Sequence, residues 1–397
     1  MDVNEKNEGL GKKRSTIREI FEYARARAAK IGAENVFDFS LGNPSVPAPD
    51  CVNEAIREIV AKTPSVLLHG YTSAQGDAGV RKAVADDLNR RFHTAFGADD
   101  LYMTCGAAAS LTICLHAVTE PGEEVIVFAP FFPEYRVFAE GAGCTLKVLP
   151  SDENFMPDPA ALEKSVTAKT RAVILNSPNN PSGAVYGEEV IKALCAVLKA
   201  KEREFGKIIY LIADEPYREL VYDKETVVPF LPNYYNDTLV CYSWSKSLSL
   251  PGERIGYIAV SPETAHARGV YAAVCGAGRS LGYVCAPALL QRVVAACLSK
   301  TADISVYRRN RDRFVAALRS FGFEVVRPDG AFYLFVKSPE PDAFAFCERA
   351  KKYELLFVPS DDFGVKGYVR IAYCVAPETI ERALPAFAAL AKEYRGK

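Results

Sequence analysis

The sequence predicts an α/β protein built on a mainly parallel β-sheet that helices cover on both faces. Between about residues 49 and 290, short β-branched runs alternate with helical patterns, and this alternation is typical of parallel sheets. The chain has 397 residues, more than a single hydrophobic core usually supports, so we expect two domains. Ligands of such sheets bind beyond the carboxyl ends of the strands, and the chemistry is therefore expected there.

The elements of the alternating region are placed by their apolar runs. Helix Glu188–Phe205 is predicted because four apolar side chains share one face at helical spacing. The buried strands are predicted at residues 125–128, 172–175, 208–212, 239–242 and 257–260.

Both ends of the chain carry further elements. A capped helix is predicted to open at Ser15–Glu19, and Leu41–Pro44 is predicted to form a loop. The C-terminal third is predicted to hold three strands and a closing helix, at residues 323–326, 332–336, 368–373 and about 377–394.

The composition excludes several classes of function. Basic and acidic residues number 48 and 49, for a net charge of −1, which argues against a nucleic-acid-binding surface. No apolar run approaches the roughly 20 residues of a membrane helix, and residues 1–14 are polar, without the core of a signal peptide. The eleven cysteines are scattered singly, so we interpret them as structural thiols and expect no metal site. A cytoplasmic protein with no nucleic-acid or membrane partner is expected.

The most informative segment runs from Ser243 to Tyr257 and contains Lys246 directly after an apolar strand. A lysine in a desolvated pocket loses its proton readily and can form a Schiff base with an aldehyde. The hydroxyls of Ser243 and Ser245 and the guanidinium of Arg254 suit a phosphate. A solvated loop lysine is the alternative interpretation. Together these residues favour a binding site for pyridoxal 5′-phosphate.

Three other segments support that cofactor. Asn176–Gly183 and Asp214–Tyr217 each follow an apolar strand, and Arg370 lies in a strand-like run near the C-terminus. In this order the segments resemble aminotransferase class I/II, the aspartate-aminotransferase-like family of fold-type I pyridoxal-phosphate enzymes. The likeness covers about residues 41–373.

The resemblance implies how the chain divides into domains. A large cofactor-binding α/β domain would span residues 48–295. Residues 1–47 and 296–397 would combine into one small α+β domain.

The resemblance also implies the roles of the central cofactor contacts. Lys246 would carry pyridoxal phosphate and shuttle a proton between the substrate Cα and the cofactor. Asp214 would pair with the pyridine nitrogen, although a turn or capping role is the alternative. Asn180 and Tyr217 would hydrogen-bond the phenolic oxygen, and Phe132 would stack on the ring.

The phosphate site is expected at Gly106, Ala107 and Ala108, at the start of a helix, where backbone N–H groups bind phosphate well. Many relatives carry a hydroxyl or a lysine around Ala107 or Ala108, and this chain has neither. Ser243, Ser245 and Arg254 would therefore complete the site. Trp244 also departs from the smaller side chain usual in the family, which bears on local packing.

The resemblance further implies the substrate contacts and the assembly. Arg370 would grip the substrate α-carboxylate, assisted by the amide of Gly42. Tyr71 would reach the phosphate of a partner subunit, which implies a homodimer. Arg279 lies near where dicarboxylate-using relatives place an arginine that reads the substrate side chain, and a surface arginine is the alternative.

The implied function is an aminotransferase of amino-acid metabolism, in which an L-amino acid (aspartate, if Arg279 faces the site) donates its amino group to a 2-oxo acid such as 2-oxoglutarate. A carbon–sulfur β-lyase on the same scaffold remains the alternative, since fold and cofactor motifs do not separate the two reactions. A non-enzymatic regulator would need an added DNA-binding module, whereas this chain starts almost directly at its first small-domain helix.

Overall fold

The computed structural model of the protein describes residues 3–12 and 16–394. The chain forms two compact units: residues 46–304 with 329–331, and residues 1–45 with 305–328 and 332–397. The larger unit extends past the predicted boundary at residue 295, because the following segment stays attached to it. The backbone N–H of Ala302, for example, donates to the carbonyl of Ser247 at 2.7 Å. The predicted helix cap at Ser15 lies outside the described residues.

The larger unit is built on one seven-stranded sheet in the described chain. Strand Gly256–Val260 runs antiparallel to both of its neighbours, and the other neighbouring strands pair in parallel. The prediction of a mainly parallel sheet is therefore confirmed. In spatial order the strands are Leu101–Thr104, Gly256–Val260, Thr238–Ser243, Tyr210–Asp214, Thr170–Asn176, Glu124–Phe128 and Thr145–Leu149.

Helices cover this sheet, and the strands near its centre are buried along their whole length, as expected for a sheet covered on both faces. The predicted helix Glu188–Phe205 has the bounds that the sequence pattern indicated. The other helices are Asp50–Lys62, Ser65–His69, Ala78–Phe92, Ala107–Val118, Glu134–Gly141, Pro159–Ser165, Trp244–Ser247, Ala267–Ser280 and Ala288–Ala296.

The smaller unit combines helices with two short sheets. Strand Phe37–Asp38 pairs in parallel with Leu355–Leu356, and an antiparallel sheet has the order Val358–Pro359, Tyr368–Ala372, Tyr333–Lys337. Rings of Phe39, Phe314 and Phe387 form the centre of its core, with centroids 5.2–5.9 Å apart. Its helices are Glu5–Lys12, Thr16–Ile31, Ser305–Ser320, Ala343–Ala350 and Pro377–Lys392.

The predicted strand at residues 323–326 is wrong. The structure has only an isolated bridge between Val325 and Val336 there. Arg319 donates from Nη2 to the carbonyl of Val325 at 2.8 Å, so a side chain takes the place of a sheet partner. Gly322, with φ of 95°, and Pro328 limit the length of extended chain on either side.

Within residues 3–12 and 16–394, none of the helices has both the length and the apolar character needed to cross a lipid bilayer.

Candidate active site

Lys246 lies in a single helical turn, Trp244–Ser247, that directly follows strand Thr238–Ser243 of the larger unit. Ser243 and Ser245 are buried, whereas Lys246 is partly exposed. The Nζ atom of Lys246 lies 6.0 Å from the ring centroid of Tyr217. The amine is thus carried by a rigid, buried segment and keeps access to solvent.

Asp214 ends the neighbouring strand Tyr210–Asp214 and is 4% exposed. Its Oδ2 atom accepts a hydrogen bond of 2.5 Å from the hydroxyl of Tyr135. Its Oδ1 atom is buried and has no hydrogen-bond partner in the described chain. The sequence pattern does not single out Tyr135, because a tyrosine that follows Phe131 and Phe132 by only a few residues is typical of a core residue.

Burial is the main electrostatic influence on Asp214. It raises the pKa of this carboxyl to about 7; the hydrogen bond from Tyr135 opposes the rise, and the nearby Glu215 adds to it. A buried acceptor without a donor is costly. A protonated pyridine nitrogen would supply both the missing donor and a positive charge, so Asp214 fits the expected cofactor.

Asn176 connects two of the predicted cofactor contacts. Its Nδ2 donates to the carbonyl of Asp214 at 2.8 Å, and its Oδ1 accepts from the backbone N–H of Asn180 at 2.7 Å. Asn180 and Tyr217 are both buried. The side chain of Asn179 instead fastens the following turn, since its Oδ1 accepts from the hydroxyl of Ser182 at 2.7 Å.

The predicted phosphate site lies at the start of helix Ala107–Val118. Gly106 precedes the helix with φ of 89°, and a Cβ atom there would lie 2.8 Å from Nη2 of Arg254. The guanidinium therefore lies against the first turn of the helix, whose N–H groups have no intrahelical acceptors. Ala107 and Ala108 are partly exposed. A phosphate fits this combination of backbone donors and a cation.

Of three further predicted site residues, Tyr71 and Arg279 are exposed in the single chain, and Phe132 contacts Tyr135. Tyr71 is 98% exposed, and Arg279 lies exposed in the last turn of helix Ala267–Ser280. Phe132 is partly buried and packs edge-on against the ring of Tyr135, with centroids 5.7 Å apart. Phe131 is a core residue.

Arg370 lies in strand Tyr368–Ala372 of the smaller unit and is only 2% exposed. Its guanidinium lies 4.6 Å from the ring centroid of Tyr333 and 5.2 Å from that of Phe363. Its Nη2 donates to the carbonyl of Ser40 at 2.6 Å. Aromatic faces and a backbone carbonyl therefore hold this cation in one place.

Two neighbours support the position of Arg370. Asp38 accepts hydrogen bonds from the backbone N–H and the hydroxyl of Ser40, at 2.9 and 2.6 Å, which fixes the segment that carries the Ser40 carbonyl. Gly42 leaves room for Tyr333, since a Cβ atom at this position would clash with the hydroxyl of that side chain.

The larger unit thus offers an amine, an acceptor for a cationic N–H group and an anion site. The smaller unit offers a fixed guanidinium that can pair with a carboxylate.

The sequence model of the family described as aminotransferase class I and II matches residues 34–387. The aspartate/prephenate aminotransferase of Thermus thermophilus is 31% identical over 374 residues, covering 92% of this chain and 93% of that protein. The aspartate aminotransferase of Thermotoga maritima is also 31% identical, and its alignment covers 91% of this chain and 93% of that protein.

Solved structures agree with these sequence matches. An amino transferase from Eubacterium rectale superposes with a TM-score of 0.97 at 55% identity, covering 100% of both chains. The aspartate aminotransferase of Thermus thermophilus with maleate superposes with a TM-score of 0.85 at 26% identity, covering 98% of this chain and 100% of that one.

Proposed function

The chain belongs to the class I and II aminotransferases and is a pyridoxal-phosphate-dependent transaminase; on that premise we propose that it transfers the amino group of L-aspartate to a 2-oxo acid such as 2-oxoglutarate. The lyase alternative is not favoured, because relatives that match about nine-tenths of the chain carry aminotransferase names.

Lys246 is proposed to hold the cofactor and to take the proton from the substrate Cα. Its side chain reaches solvent from a buried helical turn, which suits a base that must be both oriented and accessible. Pyridoxal phosphate, when bound, supplies the sink for the electrons that the departing proton leaves on Cα.

The other residues of the larger unit are proposed to bind and tune the cofactor. Asp214 accepts from the pyridine N–H group and holds that proton in place. Asn180 and Tyr217 donate to the phenolic oxygen. The remaining proposed contacts are Phe132 on the ring and Gly106, Ala107, Ala108, Ser243, Ser245 and Arg254 at the phosphate.

Arg370 is proposed to pair with the substrate α-carboxylate, with the amide of Gly42 as a second donor. A guanidinium presents two parallel N–H groups to a carboxylate and so orients the substrate as well as binding it.

The observation that carries this proposal is the buried Oδ1 of Asp214, an acceptor that has no donor in the part of the chain that the structure describes. Asp214 ends the strand beside the one that leads to Lys246. The choice of aspartate rests on different support: two of the relatives are named for aspartate, and a solved relative holds maleate, a dicarboxylate.

A comparison of donors tests the choice of substrate. We expect kcat/KM for aspartate to exceed that for phenylalanine, alanine and methionine with 2-oxoglutarate as acceptor. We expect Arg279→Ala to lower only the value for aspartate, by about ten- to a hundredfold, the effect of a lost charge-assisted hydrogen bond. Equal losses for every donor, or none, would remove Arg279 from the proposal. Formation of pyruvate and ammonia from an amino acid with a thioether substituent on Cβ, which leaves as the thiol, would point to the lyase instead if it occurred without a 2-oxo acid.

We also propose that two copies of the chain form the active enzyme. Tyr71, the predicted partner contact, is largely exposed, and so are the nearby apolar side chains of Val66 and Leu67. Exposed apolar groups of this kind are typical of an interface. Sedimentation is expected to find a dimer at assay concentration, and a fully active monomer would contradict the proposal. We also propose a cytoplasmic location, which fractionation of native cells would test.

A further inference from the structure

We propose that Tyr135 is a positioning residue for the cofactor: its hydroxyl holds the Asp214 carboxylate so that Oδ1 stays directed to the pyridine nitrogen. This inference deepens the proposed function and rests on the role assigned there to Asp214. Tyr135 itself would not touch the substrate or the reacting atoms.

The phenol of Tyr135 is held firmly. It lies on helix Glu134–Gly141 and is 2% exposed. The ring of Phe131 stacks on it, with centroids 6.5 Å apart and planes at 17°, while Phe132 meets it edge-on at 5.7 Å. Packed interiors allow little rotation, so the direction of the hydroxyl is set by the helix and by these two rings.

The hydrogen-bonding capacity of a carboxylate explains why this matters. Tyr135 donates to Oδ2 and leaves Oδ1 as a buried oxygen with no donor among the described residues. A tyrosine hydroxyl that donates to the carboxylate favours its ionised form, in which both oxygens are acceptors. The same contact therefore fixes the orientation of Asp214 and keeps Oδ1 able to accept.

The charged and titratable groups around the pair agree with this direction of donation. Burial raises the pKa of Tyr135 well above its ordinary value, so the phenol keeps its proton. The carboxyl's own burial raises the pKa of Asp214 most, the hydrogen bond from Tyr135 opposes that rise, and Glu215 adds to it. Cys241 faces Asp214 from the adjacent strand, and burial raises the pKa of its thiol, which stays neutral.

Two further phenols, Tyr186 and Tyr217, lie near Tyr135 and raise its pKa further. Tyr135 is thus the neighbour that favours ionisation of Asp214 near neutral pH.

The test compares Tyr135→Phe with Tyr235→Phe. Tyr235 is an equally buried tyrosine whose hydroxyl donates to the carbonyl of Ile209 at 2.8 Å. The carboxyl band of Asp214, taken as the infrared difference between each apoenzyme and its Asp214→Asn counterpart, is titrated with pH. Losing a hydrogen bond to a charged group should move the midpoint in Tyr135→Phe upward by about one to two pH units. Tyr235→Phe should leave it in place.

A second readout is the affinity of each apoenzyme for pyridoxal phosphate across the same pH range. Tyr135→Phe should bind about ten- to a hundredfold more weakly at pH 7, and the deficit should disappear when Asp214→Asn is also present. Unchanged infrared midpoint and affinity, in a protein that still needs Asp214 for turnover, would overturn the role of Tyr135. Near wild-type single turnover in Asp214→Asn would instead overturn the proposed role of Asp214.

Discussion

The Asp214 cluster of the larger unit comprises Asp214 and Tyr135, and the Arg370 cluster of the smaller unit comprises Arg370, Tyr333, Phe363 and Ser40. Both clusters keep an ionisable group away from water, by different means. Asp214 has a phenol on one oxygen and, across residues 3–12 and 16–394, no donor on the other, and burial raises its pKa to about 7. Arg370 lies against two aromatic rings and donates to a backbone carbonyl.

The two clusters therefore differ in whether the charge of the central group can change with pH. An arginine keeps its proton at any physiological pH, so the contacts around Arg370 set its position and leave its charge constant. A carboxyl with a pKa near 7 changes charge over the working range, so the contacts around Asp214 set its protonation as well. Under the proposed roles, the smaller unit would hold a permanent charge for substrate binding, and the larger unit an adjustable charge for catalysis.

Replacing Lys246 should have the largest effect, because neither cluster can supply an amine. We expect Lys246→Ala to lose covalent attachment of the cofactor and to lower turnover by about 10⁴-fold or more. Borohydride reduction followed by peptide mass mapping measures attachment. Lys207→Ala, which removes a lysine paired with Glu123, is the control. Covalent trapping and turnover that survive in Lys246→Ala would show that another residue carries the cofactor.

Asp214→Asn removes the adjustable charge while keeping the shape of the side chain. Turnover is expected to fall by roughly three orders of magnitude, the scale on which a lost electrostatic contact in an active site acts, while the cofactor still binds. Single-turnover kinetics measure the effect. Asp237→Asn is the matched control, since Asp237 is also buried and accepts from the backbone N–H of Ala265. A near wild-type rate in Asp214→Asn would contradict the assignment.

The pH dependence of the free energy of unfolding should distinguish the Asp214 cluster from the Arg370 cluster. The folded-state pKa of Asp214 is raised, to about 7 from 3.8. Its contribution to stability is therefore fully present below about pH 4 and is lost as the pH rises through about 7. We expect the unfolding free energy of the apoenzyme to fall over this range by up to about 4 kcal/mol more than that of Asp214→Asn.

Urea unfolding of both proteins at several pH values measures this difference. Arg370→Ala should keep the wild-type slope, since the substitution leaves Asp214 and its hydrogen bond from Tyr135 in place. An identical slope for wild type and Asp214→Asn would show that Asp214 has an ordinary pKa in the folded apoenzyme.

Changes at Arg370 should have the smallest effect and act on binding. Arg370→Ala is expected to raise KM for every amino donor by about ten- to a hundredfold, through loss of charge-assisted hydrogen bonds. Arg370→Lys should recover little, because an ammonium lacks the planar fork. Arg313→Lys, which alters an exposed arginine paired with Glu381, is the control. A selective loss for one donor would mean that Arg370 contacts the substrate side chain.

Much of the larger unit was predictable because its strands are continuous apolar runs. Strands Tyr210–Asp214 and Thr238–Ser243 are buried at every position, so nothing polar interrupts the pattern until the strand ends. Lys246 stood out because it follows such a run closely, whereas Asp214 took its predicted role from the family resemblance. The segment at residues 323–326 was misassigned because the side chain of Arg319, six residues earlier, donates to the carbonyl of Val325 within its apolar run.

The alternation of strands and helices and the residue types at the strand ends could be read from local patterns, since these depend on neighbouring residues. Folding was needed to bring Tyr135 to Asp214 across 79 residues, Arg370 to Ser40 across 330, and Arg254 against Gly106. Contacts between residues so distant in sequence depend on how the complete core packs, and no local pattern encodes which hydroxyl or carbonyl will lie within hydrogen-bonding distance.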